Sequence, residues 1–164
     1  AAGMARDLHR EHPVFRAALD DVCGRFAGAA GLALEPYLLG DASTTDTALV
    51  QPLLFAYEYA LYQAWAALGV TPDYLIGHSL GELVAACCAG VFSLDDAVGL
   101  VAARAAAMQA QPAGAMLSVS IAEDELAAQL PPTLAVAAVN GPLQCVVSGP
   151  VDAVDAFAAH LRNA

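Results

Sequence analysis

Lysine is absent from this 164-residue chain, and its six basic residues, all arginine, face 17 Asp and Glu, for a formal net charge of −11. A nucleic-acid binder needs a basic stripe to neutralise phosphates, and none can be built here. An anionic membrane surface is excluded as a partner for the same reason. The chain also lacks a long apolar run. A membrane span takes about 20 apolar residues, and the longest candidate, Leu83 to Phe92, is interrupted by Gly90. The first residues are mixed in charge, without the basic-then-apolar pattern of a signal peptide. Cys23, Cys87, Cys88 and Cys145 show no metal-type or redox C-x-x-C spacing. They read as small buried hydrophobes of a reducing, cytoplasmic protein. No internal repeat and no low-complexity tract is present.

Hydrophobic residues make up 59% of the chain, enough for a sizeable core. Residues 4 to 28 read as two helical pieces that break near His12-Pro13, with Pro13 in the first turn of the second. Polar residues 40 to 47 form a loop. Gln51 to Leu68 reads as a long helix started by Pro52 and stopped by Gly69. In "TPDYLIG" a short apolar run between Pro72 and Gly77 predicts a buried strand. Leu80 to Ala89 follows as a helix ended by Gly90. Ser93 and Asp96 make a capping pattern ahead of a further helix. Beyond Gln111 the texture becomes β-α-β-β-α, one strand short of a ferredoxin-like unit. The expected fold class is therefore α/β. An incomplete large α/β subdomain spans residues 1–112, and a small ferredoxin-like subdomain spans 113–164. One strand does not make a layer, so both ends of the chain read as cut.

The pattern Gly77-His78-Ser79-Leu80-Gly81 lies between the expected strand and a helix. This is the context of a nucleophile elbow, in which a strained turn projects the serine hydroxyl. Side chains two residues either side would collide, so Gly77 and Gly81 are both expected to be required. The Leu80 N–H, at the helix start, is the expected oxyanion donor. The plainer alternative is a serine that caps a helix. No histidine is a good general base. His78 is adjacent and points away at such a turn, while His9 and His12 read as surface residues. His160, near Asp152 and Asp155, would suit a serine hydrolase, but it sits in an amphipathic helix.

Ala97, Val101, Arg104 and Met108 recur at helical spacing, with Leu100 and Ala105 beside them. Arg104 thus falls on an apolar stripe and needs a partner. Either Glu82 or Glu58 supplies one internally, or a substrate carboxylate does so through two parallel hydrogen bonds. In the second case the substrate is an acyl group that ends in a carboxylate, as malonyl does.

"GHSLGE" at 77–82, "QPLLFAYEYAL" at 51–61, "VFSLDDAVGLVAAR" at 91–104, "GAMLSV" and "NGPLQCVVSGP" together carry a resemblance. The chain resembles the malonyl-CoA:acyl-carrier-protein transacylase family, in particular the acyltransferase domains of polyketide synthases. The resemblance implies an α/β-hydrolase-like large subdomain with an inserted ferredoxin-like one, and an apolar pocket between them. It implies Ser79 as nucleophile, Leu80 N–H at the oxyanion and Arg104 as the carboxylate clamp. His78, Met108, Gln51 and Asn140 are its further candidate substrate-binding residues. Malonyl-CoA is the implied donor and the phosphopantetheine of an acyl carrier protein the acceptor. Neighbouring ketosynthase and other synthase domains are implied partners, with no metal and no tightly bound cofactor. Leu80 after the serine leans to malonyl over methylmalonyl. The family's G-Q-G-x-Q loop falls before Ala1, and its catalytic histidine, in an A-F-H-S context, falls after Ala164. The piece on its own is therefore expected to be inactive. A serine hydrolase or thioesterase, and an inactive structural piece of a synthase, remain the alternative readings.

Overall fold

The computed structural model describes residues 2–163, and the chain divides into two compact units between Ala110 and Gln111. No helix among the described residues is long and apolar enough to cross a membrane.

The first unit is helical: α1 (Arg6–Glu11), α2 (Pro13–Ala30), α3 (Glu35–Leu38), α4 (Thr47–Ala67), α5 (Leu80–Cys88) and α6 (Leu94–Gln109). His12 is extended (φ −115°, ψ 101°) and separates α1 from α2, whose first residue is Pro13. Pro fits there because its missing N–H would have no partner in the first turn. α4 begins earlier than its proline suggests. The Asp46 carboxylate accepts from the Ala48 N–H at 2.8 Å, so the helix starts at Thr47 and Pro52 lies inside it. A side-chain cap near the start outweighs the proline signal, although Pro52 forfeits one backbone bond. α6 opens on the expected capping box: Ser93 Oγ accepts from Asp96 N–H, and the Asp96 side chain accepts from Ser93 N–H.

α2, α4 and α6 pack side by side around Phe15, Leu19, Phe26, Phe55, Ala97 and Val101. Phe55 meets Phe26 edge-on at 6.1 Å and stacks on Tyr59 at 6.2 Å. On α6 the buried positions are Ala97, Val98, Val101 and Ala105. Met108, expected on that stripe, is 48% exposed, Leu100, expected beside it, is 46% exposed, and Arg104 is half-buried at its margin.

The strand expected at 73–77 does not form among the described residues. Tyr74 is 93% and Ile76 98% exposed. A strand is made by its hydrogen-bonded neighbours, and no described residue of this unit provides one. The apolar run instead leads straight into the turn at Ser79.

In the second unit, β1 (Gly114–Val119), α7 (Glu123–Gln129), β2 (Ala135–Gly141), β3 (Gln144–Pro150) and α8 (Val151–Asn163) follow the expected order. The three strands form one antiparallel sheet in the order β1-β3-β2. Its core is Val119, Leu126, Cys145, Val147, Val154 and Phe157, from one sheet face and both helices.

Phe55 is fully buried between two rings. Replacement by alanine is predicted to destabilise the protein by about 3–5 kcal/mol in denaturant unfolding. A loss below about 1 kcal/mol contradicts this packing.

Candidate functional site

Ser79 has φ 55° and ψ −115°, the one positive-φ non-glycine among the described residues. Such a conformation costs of order 1–3 kcal/mol and persists only where the surroundings impose it. Here they do so through Gly77. A Cβ on Gly77 would lie 2.0 Å from the Gly81 carbonyl carbon and 2.3 Å from Glu82 N, so only hydrogen fits where the entering chain crosses the start of α5. Gly81 was expected to be equally constrained, and it is not. A Cβ there meets nothing within 4 Å among the described residues.

The turn exposes Ser79 and places it directly before α5. The N–H groups of Gly81 and Glu82 bond to the carbonyls of His78 and Ser79. Leu80, the first residue of the helix, has no carbonyl within the helix for its own N–H. That N–H stands at the positive end of the α5 dipole, beside the serine.

A cleft of about 670 Å³ opens at the serine. Six of the expected site residues line it: Gln51, His78, Ser79, Leu80, Arg104 and Met108. Gln51 comes from α4, Arg104 and Met108 from α6. The two helices are tied at this end by Thr47 N–H, which donates to Gln109 Oε1 at 3.0 Å. Arg104 Nη2 donates to Ser79 Oγ at 3.0 Å, and Nη1 donates to Gln51 Oε1. Gln51 Nε2 donates to Met108 Sδ at 3.2 Å. No carboxylate among the described residues pairs with Arg104. The internal pairing with Glu82 or Glu58 therefore does not occur, and the guanidinium rests on two neutral oxygens.

The other candidates lie elsewhere. Asn140 is an exposed residue of β2 in the second unit. His160, on α8 of that unit, stacks on Phe157 at 6.2 Å. His9 Nε2 bonds Asp20 at 2.7 Å, and His12 occupies the N-cap position of α2 without a side-chain bond to the helix. Of the histidines in the first unit, only His78 lines the cleft.

Among the further lining residues are Glu58, expected only as a partner for Arg104, and Cys88, expected only as a buried hydrophobe. They face the cleft from α4 and α5. Their only sequence signal is helical spacing, Glu58 lying seven residues after Gln51. Burial raises the Glu58 carboxyl above its usual range. Burial, with Cys87 and Glu58 adding to it, pushes the Cys88 thiol up to about 12. Cys88 is thus protonated and unreactive at neutral pH. The same cause puts Cys23 at about 12.

A hydroxyl on a strained turn, a helix-start N–H beside it and an unneutralised guanidinium in hydrogen-bond reach suit attack on a carbonyl. The attacked molecule would also carry an anionic group.

Two predictions follow from this geometry. Gly77→Ala should destabilise the protein by about 1–3 kcal/mol and cut labelling of Ser79 by a fluorophosphonate at least about tenfold. Gly81→Ala should leave both nearly unchanged, and equal damage from the two contradicts the turn described. For Glu58, a raised folded-state pKa means that folding favours the protonated form. Its stability contribution is present at low pH and is lost as pH rises through the raised value. Glu58→Gln should therefore raise Tm at pH 7 but not at pH 4, and an equal gain at both contradicts it.

Residues 1–164 match the acyl transferase domain family. The chain is 46% identical over 158 residues to the phenolphthiocerol synthesis polyketide synthase type I Pks15/1 of Mycobacterium marinum, covering 94% of this chain and 8% of that protein. Among solved structures, the acyltransferase domain from the second module of the salinomycin polyketide synthase superposes with TM-score 0.88 at 46% identity, covering 99% of this chain and 39% of that one. The acyl transferase domain of SpnD in complex with 2-(pent-4-yn-1-yl)malonyl superposes with TM-score 0.90 at 39% identity, over 99% and 40%. The chain thus spans less than a tenth of that synthase and about two fifths of those solved chains.

Proposed function

The chain belongs to the acyl transferase domain family, and from that premise we propose that it moves a malonyl unit from coenzyme A to the phosphopantetheine thiol of an acyl carrier protein in a polyketide synthase. The observation that carries the reading is the 3.0 Å contact between Arg104 Nη2 and Ser79 Oγ. It puts an unneutralised cation in contact with a candidate nucleophile, within reach of the far end of a short acyl chain carried there.

In the first half-reaction Ser79 Oγ attacks the thioester carbonyl and its proton passes to a general base. The family resemblance implies a histidine outside residues 1–164 for that role. The Leu80 N–H stabilises the tetrahedral oxyanion. The C–S bond breaks, coenzyme A departs as its thiol with the proton from the base, and a malonyl ester remains on Ser79. Arg104 releases the serine and takes the malonyl carboxylate through two N–H groups. In the second half-reaction the carrier thiol attacks the ester, and Ser79 recovers its proton. Every step balances with thioester, serine and thiol, so we assign no tightly bound cofactor.

Gln51, His78 and Met108 are assigned to the walls of the acyl site, in keeping with their place in the cleft. Asn140 is assigned there on the resemblance alone. Leu80 beside the nucleophile supports malonyl over methylmalonyl as the extender. The SpnD domain, solved with a substituted malonyl, supports a donor of the malonyl class. The other relatives support a synthase setting with further domains alongside; a ketosynthase among them is assigned on the resemblance alone. We read the second unit as ferredoxin-like on its β1-β3-β2 order, and the first as part of an α/β-hydrolase-like subdomain on its serine turn.

Intact-mass analysis of the native-length protein with malonyl-CoA tests this. One malonyl ester on Ser79, stable until a carrier thiol is added, is expected. Prompt release of free malonate without a thiol contradicts transfer and fits a hydrolase. Arg104→Ala should cut malonyl loading roughly 10- to 100-fold while acetyl loading persists, and undiminished malonyl loading removes the clamp.

A further inference from the structure

Gln51 is the one buried polar side chain among the described residues, 7% exposed. An amide has two unlike ends: its oxygen accepts and its NH2 donates. A guanidinium only donates. Beside Arg104, Gln51 must therefore present Oε1, which it does. The NH2 is then turned the other way, into a place with little water. A donor buried there without a partner is costly. Its partner is Met108 Sδ, at 3.2 Å and one helical turn beyond Arg104 on α6. The reverse orientation would set NH2 against the guanidinium and the amide oxygen against a sulfur that cannot donate. Both contacts favour the same orientation, and the sulfur is the group that makes the reverse one costly on its side.

We propose that Met108 is a positioning residue: its thioether sulfur fixes the Gln51 amide, so that Gln51 Oε1 holds the Arg104 guanidinium in line with Ser79. This deepens the transfer reading above and rests on it. The consequence concerns selectivity. A carboxylate gripped through two parallel hydrogen bonds needs a guanidinium held in one plane, whereas an acyl donor without a carboxylate makes no use of that plane. Losing the sulfur should thus penalise malonyl donors and spare acetyl donors.

Met108→Leu keeps an apolar side chain of similar size and removes the acceptor. Met108 is 48% exposed, so the variant has little core to disrupt. In the native-length protein, the ratio of kcat/KM for malonyl-CoA over acetyl-CoA should fall roughly 3- to 10-fold, the effect of one neutral hydrogen bond. A general structural defect lowers both rates and leaves the ratio alone. Gln51→Leu should lower the ratio at least as far, and adding Met108→Leu to it should change nothing further. A ratio unmoved in Met108→Leu overturns the proposal. So does a fall that persists undiminished in the Gln51→Leu background, since Met108 would then act through its place in the acyl-site wall and not through Gln51. A wild-type protein that forms no malonyl ester on Ser79 overturns the transfer reading and this proposal together, whereas normal loading with an unmoved ratio overturns this one alone.

Discussion

A guanidinium with no carboxylate of its own, held against a serine hydroxyl, organises the first unit around one point. Positive charge set among apolar side chains is costly unless something answers it. In the structure the answer is partial: the Gln51 and Ser79 oxygens carry no formal charge. That deficit is what a carboxylate-ended acyl group would fill. The chemistry proposed for the chain follows from leaving the deficit open.

Holding the two groups together takes three helices. Ser79 owes its place to a turn in which one glycine lets the entering chain cross the first residues of α5. Arg104 owes its place to α6, whose Ala97, Val98, Val101 and Ala105 are sunk in the core against α2 and α4. α4 brings Gln51, and the Thr47–Gln109 bond ties its start to the end of α6. Strain at the serine is maintained by packing elsewhere in the unit, as expected of a conformation that sequence-local forces would not select. Burial on the cleft wall, which also strengthens the Arg104 contacts, raises the Glu58 carboxyl above its usual range and pushes the Cys88 thiol up to about 12.

Much of this was legible in the sequence. Features set by a few adjacent residues could be read directly: the break at His12-Pro13, the Ser93–Asp96 box and the stop at Gly90. The β1-α7-β2-β3-α8 order was readable from alternation and turn residues. The G-x-S-x-G turn and the helical spacing of Arg104 pointed to two groups that the fold does bring together. Most of what failed depended on partners distant in sequence, and one boundary on a local cap less conspicuous than a proline. The apolar run at 73–77 has strand composition but no hydrogen-bonded neighbour among the described residues. Gly81 carries the motif without the crowding that Gly77 meets. The start of α4 went to Asp46, whose cap acts within two residues, rather than to the more conspicuous Pro52. No pattern in the sequence announces that an amide will bridge an arginine to a methionine sulfur.

The central claim is that the cation at 104 and the oxygen at 79 serve one bound molecule. The most direct measurement is a crystal structure of the native-length protein carrying a malonyl ester on Ser79. The account predicts the free carboxylate in two parallel hydrogen bonds to Arg104, with the guanidinium withdrawn from Oγ. A carboxylate turned to solvent, with Arg104 still on the serine oxygen, would contradict it.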